Sequence, residues 1–209
     1  MELLAMLSQA VFDGDMDKAA DLSQSAINEG IPISDILEHG LISAMHEVGD
    51  KFKKGEVFVP EMLIAARAMN RALEILEPEM IRGKIESKGT FIVGAVKGDL
   101  HDIGKNLVGI MFKGAGFRVI DLGTDVSMEV FIKAAREYNP DIIGISSLLT
   151  TTMPYMQTII EGLRSEGIPA KIIVGGAPVN REFAQSINAD GYAENAAEAA
   201  DLGKSLMGM

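Results

Sequence analysis

A histidine between two carboxylates, in GDLHDIGKN (98–106), is the first place in this chain where side chains of different chemistry converge. Imidazole is a good ligand for a borderline transition metal, and its second ring nitrogen can donate to a carboxylate. His101 is therefore a candidate ligand, and Asp99, two residues earlier, a candidate acceptor for its other nitrogen. The same residues also read as an ordinary loop in which Asp102 caps the next helix and His101 is solvated. A second loop, SSLLTTTM (146–153), carries hydroxyls at Ser146, Ser147, Thr150, Thr151 and Thr152. They either start a helix or face Asp99 and line a cleft. In a third loop, GGAPV (175–179), two glycines either make a tight turn or let a flat ligand lie against the backbone. None of this is a phosphate loop, since GDLHDIG lacks both the GxGxxG spacing and a Lys-Ser/Thr ending.

Short β-branched runs position these loops. FIVGAV (91–96), FRVID (117–121), DIIGIS (141–146), KIIVGG (171–176) and a weaker DGYA (190–193) read as strands. Helical patterns fill the intervals at 103–115, 127–138, 152–166, 180–188 and 194–207. Strands apolar on both faces and separated by helices predict a parallel sheet wound by right-handed crossovers. Five such units suit the flavodoxin-like, Rossmann-type order 2-1-3-4-5. That order places a ligand at the carboxyl ends of the strands, between the first and the third, where the three loops lie.

The first 80 residues follow a helical period instead. Leu3, Leu4, Leu7 and Val11 share one face, as do Ile36, Leu37, Leu41 and Met45. Helices are expected near 2–12, 15–29, 34–53 and 59–80, with Asp15 and Ser34 as N-caps and Pro60 in a first turn. Four short-linked amphipathic helices predict an antiparallel bundle. The fold class is thus α/β with an N-terminal all-α module, 1–85 and 86–209, joined by the polar bridge 81–90, a hinge about which the bundle could swing. His39 and His46, with Glu47 or Asp50, could share a helix face as a metal site, although such histidines are usually just solvated.

Composition narrows the function. The net charge of −11 argues against a nucleic-acid partner, because phosphate binding needs clustered Lys and Arg. The absence of cysteine rules out disulfides, zinc thiolates and iron–sulfur ligation. No basic-then-apolar leader and no long apolar run is present, so a cytoplasmic protein without a membrane span is expected.

Together the three loops carry a family resemblance. DLHDIG resembles the Asp-x-His-x-x-Gly signature of cobalamin-binding domains, with Asp99, His101 and Gly104 in place. Ser146-x-Leu148 is similar to the second signature of that family, and Gly175-Gly176 to its third. The helical segment resembles the cap of cobalamin-dependent methionine synthase, and the whole chain resembles the small corrinoid proteins of anaerobic methyltransferase systems. The resemblance implies a cobalamin cofactor alternating between methylcob(III)alamin and cob(I)alamin. His101 would be the lower axial ligand of cobalt, Asp99 its partner, and Thr152 the relay hydroxyl. Leu100, Asp102, Ile103 and Gly104 would adjoin the cofactor. Its displaced nucleotide tail would lie in a slot lined by Ser146, Leu148 and Thr150 and closed by Gly175, Gly176 and Ala196. Apolar cap residues around Phe58, Met62, Leu63 and Met69 would shield the upper face, or serve only as bundle core.

The role so implied is a methyl carrier between a substrate-specific methyltransferase, with an O-methyl or N-methyl donor, and a second methyltransferase using tetrahydrofolate or a thiol. A reductive activase would be a further partner. A cobalamin-dependent sensor is the alternative, and would need an output domain. The cofactor module of a mutase is disfavoured by the N-terminal helices. A phosphoreceiver or flavin protein is disfavoured by a third strand ending in hydroxyls rather than an acid.

Overall fold

The computed structural model describes residues 2–83 and 87–209. The chain divides into two compact units, Met1–Ser87 with Gly114–Gly116, and Lys88–Lys113 with Phe117–Met209. Of the polar bridge expected at 81–90, residues 84–86 lie outside the described residues.

The first unit is helical: α1 (Glu2–Phe12), α2 (Met16–Asn28), α3 (Ile33–Asp35), α4 (Ser43–Lys53) and α5 (Val59–Gly83). Asp15 caps α2 as expected, its carboxylate accepting from the Lys18 N–H at 3.0 Å, and Pro60 sits in the first turn of α5. Ser34 is not a cap. Pro32 occupies that position and the helix starts at Ile33, so the Ser34 hydroxyl bonds the neighbouring Asp35 carboxylate instead. The helix expected over 34–53 is interrupted by a π-helical stretch, Ile36–Ile42, in which the Ser43 N–H reaches five residues back to the Glu38 carbonyl. Gly40 lies in this stretch against Leu7, where a side chain would collide with the leucine. Among the described residues no group of three or more metal-ligating side chains occurs, so His39 and His46 form no such site. Leu7, Val11, Met45, Met62 and Leu76 are buried core.

The second unit is the expected parallel sheet. Its strands are β1 (Thr90–Ala95), β2 (Arg118–Asp121), β3 (Ile142–Ser146), β4 (Lys171–Gly175) and β5 (Gly191–Tyr192), in the order β2-β1-β3-β4-β5, every pairing parallel. Helices α6 (Ile103–Gly114), α7 (Met128–Tyr138), α8 (Tyr155–Ser165), α9 (Arg181–Ser186) and α10 (Ala196–Leu206) connect and cover them. Side chains alternate across each strand. One face presents Ile92, Ile143, Ile145, Ile172 and Val174 to a dense core with Phe131 of α7 and Ile159, Ile160 and Leu163 of α8. The opposite face presents Phe91 and Val93, then Gly144, Ser146, Ile173 and Gly175. Facing residues on this side are small as well: α10 buries Ala196, Ala199 and Gly203. No described helix is long and apolar enough to cross a membrane.

Two stability outcomes follow from this packing. Phe131 is fully buried, and Phe131→Ala should lower the unfolding free energy by about 3–5 kcal/mol through lost transfer energy and a residual cavity, read as a lower denaturant midpoint. Ser23 is the opposite case: its hydroxyl is buried with no partner among the described residues. Ser23→Ala removes that orphan in the middle of α2 and should raise stability by about 1 kcal/mol.

Candidate functional site

Three loops meet at the carboxyl ends of β1, β3 and β4, and hydrogen bonds between them fix where their side chains go. Val96 continues β1 by donating to the Ser146 carbonyl at 3.0 Å, and the Ser147 N–H donates to the Gly175 carbonyl at 3.2 Å. Gly176 has φ +126°, and a Cβ there would lie 1.9 Å from the Ser147 carbonyl oxygen, so the approach of these two loops requires glycine. The β1 loop turns at Gly98, φ +83°, whose N–H donates to the Asp125 carboxylate at 2.7 Å. Asp125 is itself in the left-handed region, φ 56°, and its N–H donates to the Asp99 carbonyl at 2.9 Å. One residue of the β2–α7 loop thus latches the β1 loop on both sides of the turn.

Asp99, at the centre, is fully buried. One carboxylate oxygen, Oδ1, accepts from the His101 N–H at 3.0 Å and lies 2.8 Å from His101 Nδ1. The other, Oδ2, accepts from the Leu148 N–H at 2.7 Å, the Thr152 hydroxyl at 3.0 Å and the Ser147 hydroxyl at 3.2 Å. Burial pushes the Asp99 pKa up, but the Leu148 and His101 N–H groups, the His101 ring and the Thr152 hydroxyl together hold it well below the usual carboxylate range. Asp99 is therefore an anion at neutral pH, and a neutral His101 beside it carries its proton on Nδ1 and its lone pair on Nε2. The histidine side chain is 50% exposed while its partner is sealed in.

Beside this pair, between the small-residue face of the sheet and helices α6 and α10, lies a cavity of about 570 Å³. Leu100, His101, Asp102, Ile103, Gly104, Ser146, Leu148, Gly175, Gly176 and Ala196 all line it. Of the residues expected there, Thr150 is exposed and does not line the cavity, because the turn after Leu149 carries it away from the slot. Asp99 and Thr152 sit behind the histidine rather than on the cavity wall. In the helical unit Met62 and Met69 are buried, 0% and 3% exposed, in keeping with the bundle-core alternative. Phe58 and Leu63 remain exposed.

Three residues of the site escaped sequence reasoning in this role. Ser147, 1% exposed, bonds both Asp99 and, at 2.8 Å, Thr152, so the hydroxyl side of the carboxylate is a pair. Asp125 gave no signal beyond its place in a loop. Lys105, 2% exposed, pairs with Asp121 at the end of β2 and with the Asn106 side-chain carbonyl at 2.7 Å. A lysine one turn after a histidine, at the start of an apolar helical pattern, was the available hint for it.

The arrangement fits a corrinoid. A Cβ on Gly104 would meet nothing within 4 Å, so protein packing does not require glycine in this first helical turn, where it costs stability; its bare backbone faces the cavity. Leu100 and Ile103, 74% and 71% exposed, and Leu148 line the cavity with His101 as an apolar rim, an arrangement that solvent alone does not favour but a broad, flat ligand does.

Comparison with known proteins agrees. Two family models, each described as a B12 binding domain, match residues 89–201 and 3–77. The chain is 45% identical over 213 residues to a corrinoid protein of Desulfitobacterium hafniense, covering 100% of this chain and 99% of that one. It is 42% identical to trimethylamine corrinoid protein 1 of Methanosarcina acetivorans, over 94% of this chain and 93% of the relative. Among solved structures, the methanol:cobalamin methyltransferase complex MtaBC from Methanosarcina barkeri superposes with a TM-score of 0.89 at 30% identity, covering 100% of this chain and 81% of that one. The cofactor class is accordingly a cobalamin-type corrinoid with its cobalt. A parallel sheet preceded by a helical module, with matches spanning both, places this chain in the B12-binding domain family, among the corrinoid proteins.

Proposed function

We propose that this chain is the methyl-carrying corrinoid subunit of a multi-component methyltransferase, working in the cytoplasm between two partner enzymes. One partner would take the methyl group from a small O-methyl or N-methyl compound, and the other would pass it to tetrahydrofolate or a thiol. Similarity to proteins named for trimethylamine, dimethylamine and methanol supports that donor class. A reductive activase would restore the carrier after adventitious oxidation. The observation that carries the reading is the His101–Asp99–hydroxyl set at the mouth of an apolar cavity.

When bound, the corrinoid supplies a cobalt centre able to accept and release a methyl group. The rest of the work belongs to the chain. His101 would hold the cobalt through Nε2, with its tautomer set by Asp99. Asp99, held anionic, makes the ring a stronger donor than an unassisted imidazole and keeps the proton at Nδ1. Thr152 and Ser147 share the duty of satisfying Asp99 Oδ2, so the carboxylate stays oriented whichever hydroxyl donates at a given moment. Leu100, Ile103 and Leu148 would exclude water from the bound corrinoid beside His101, and the cavity would receive its nucleotide tail. Gly175, Gly176 and Ala196, lacking bulk, would leave room for the tail along the slot, and Phe58 is an exposed aromatic of the helical unit.

Three outcomes test this. Full-length protein mixed with hydroxocobalamin and desalted should retain the corrinoid, and failure to retain it would refute the proposal. His101→Ala should retain corrinoid yet change its absorption spectrum; a spectrum matching the parent at every pH would remove His101 as the ligand. Asp99→Asn places an amide N–H among five donors and should lower stability by about 1–3 kcal/mol at pH 7. Because the folded pKa of Asp99 is depressed, its contribution is complete above the unfolded carboxyl pKa of about 3.9 and fades as pH falls below it. The stability gap between parent and Asp99→Asn, measured by denaturant titration, should therefore narrow on acidification below that value.

A further inference from the structure

The cavity beside His101 is chemically graded from mouth to floor. At the mouth, where the strands end, its polar residues gather: Ser146 closes β3, and Glu194 and Asn195 precede α10. The Asn195 side chain is occupied in capping α10, accepting from the Glu198 N–H at 3.0 Å. Lys105 touches the wall, but its ammonium is turned to Asp121 and Asn106. Toward the amino ends of the strands the lining becomes wholly apolar. Gly104, Val108 and Phe112 recur every fourth residue on one stripe of α6, facing Val93 and Ile173 of the sheet. The floor is Phe91 stacked on Phe112, ring centroids 3.6 Å apart and planes within 9°. Gly144 lets that ring lie across β3, since a Cβ there would come within 2.6 Å of Phe91 Cζ. Backbone donors and acceptors at this depth are engaged in the ladders of β1, β3 and β4.

We infer that this floor selects the base at the end of the corrinoid's nucleotide tail, admitting an alkylated benzimidazole and discriminating against a purine. The inference rests on the corrinoid reading above and adds a specificity to it. A benzimidazole with methyl groups on its leading edge buries only carbon against Phe91, Phe112 and Val108. Adenine would carry its exocyclic amine and ring nitrogens to a depth where no side chain offers a partner, and buried polar groups left unpaired cost affinity.

The test uses the full chain and three probes: cobalamin, its adenine-containing counterpart, and cobinamide, which has no nucleotide. Dissociation constants are read from the absorbance change of the corrinoid, with no turnover required. Cobalamin should bind about tenfold or more tightly than the adenine form. Cobinamide should bind more weakly than cobalamin. Val108→Asn, which puts an amide on the α6 stripe, should shrink the cobalamin preference while leaving the spectrum of bound cobalamin unchanged. Equal affinity for cobalamin and the adenine form overturns the inference, as does cobinamide binding as tightly as cobalamin, or a preference untouched in Val108→Asn. Retention of none of the three refutes the corrinoid reading itself, a result distinct from retention without discrimination.

Discussion

A carboxylate sealed away from water, taking hydrogen bonds from five donors, is the interaction around which this sheet domain is organised. Asp99 gathers the loop after β1, through the His101 N–H and ring, and the loop after β3, through Leu148, Ser147 and Thr152. A buried charge is costly unless it is fully paired, and among the described residues no cation stands against this one unless His101 is protonated. Dipoles therefore carry the whole load. That condition ties the exits of two non-consecutive strands, neighbours only because of the 2-1-3-4-5 order, into one rigid platform. The Asp125 latch and the close approach of Gly176 to Ser147 secure the same platform from the β2 and β4 sides.

The cavity has an equally local origin. Both faces of a parallel sheet must be covered, and the β-branched face opposite α7 and α8 is filled to ordinary core density. The other face trades side-chain volume for space: Gly144, Ser146 and Gly175 alternate along β3 and β4, and α10 answers with alanines and a glycine. Large residues return only at the floor, where Phe91 and Phe112 stack and Phe117 meets Phe112 edge-on at 5.2 Å. Small residues at Gly104, Gly175, Gly176, Ala196 and Ala199 thus border the volume of about 570 Å³ beside the histidine.

Most of this was legible in the sequence because the strands advertise themselves. IIGIS and KIIVG are β-branched runs bounded by Asp, Pro and Gly, and their ends place the three loops at one edge of the sheet. That a hydroxyl after β3 faces Asp99 is one of two readings of that loop; the family resemblance singles out Thr152, and the structure adds the distance. What stayed hidden depends on contacts distant in sequence. Ser147 is one hydroxyl among five in its loop, and its burial is decided by Gly176, 29 positions away. Asp125 works through a left-handed backbone angle that aspartate tolerates but that its sequence neighbours do not announce. In the helical unit, the π-helical stretch at Ile36–Ile42 leaves the hydrophobic pattern intact while changing which residues superpose, so periodicity could not reveal it. Met62 shows the converse, for an apolar residue at helical spacing reads the same whether it faces a ligand or a core.

The contrast between a sealed aspartate and a half-open histidine has a consequence for ligation. A ligand that must bind a metal at one stage and leave it at another cannot be clamped on both sides, nor can it be left as a buried orphan on release. On the reading proposed above, His101 would meet both conditions. Its Nδ1 is held by Asp99, so the ring keeps its tautomer and direction, while half of the side chain is open, so Nε2 can turn to water when unligated. The carboxylate, for its part, keeps its donors from Leu148, Ser147 and Thr152 whatever the ring does. Reversible ligation by His101, as proposed above, would therefore leave no buried polar group of this set unsatisfied when the ring is free.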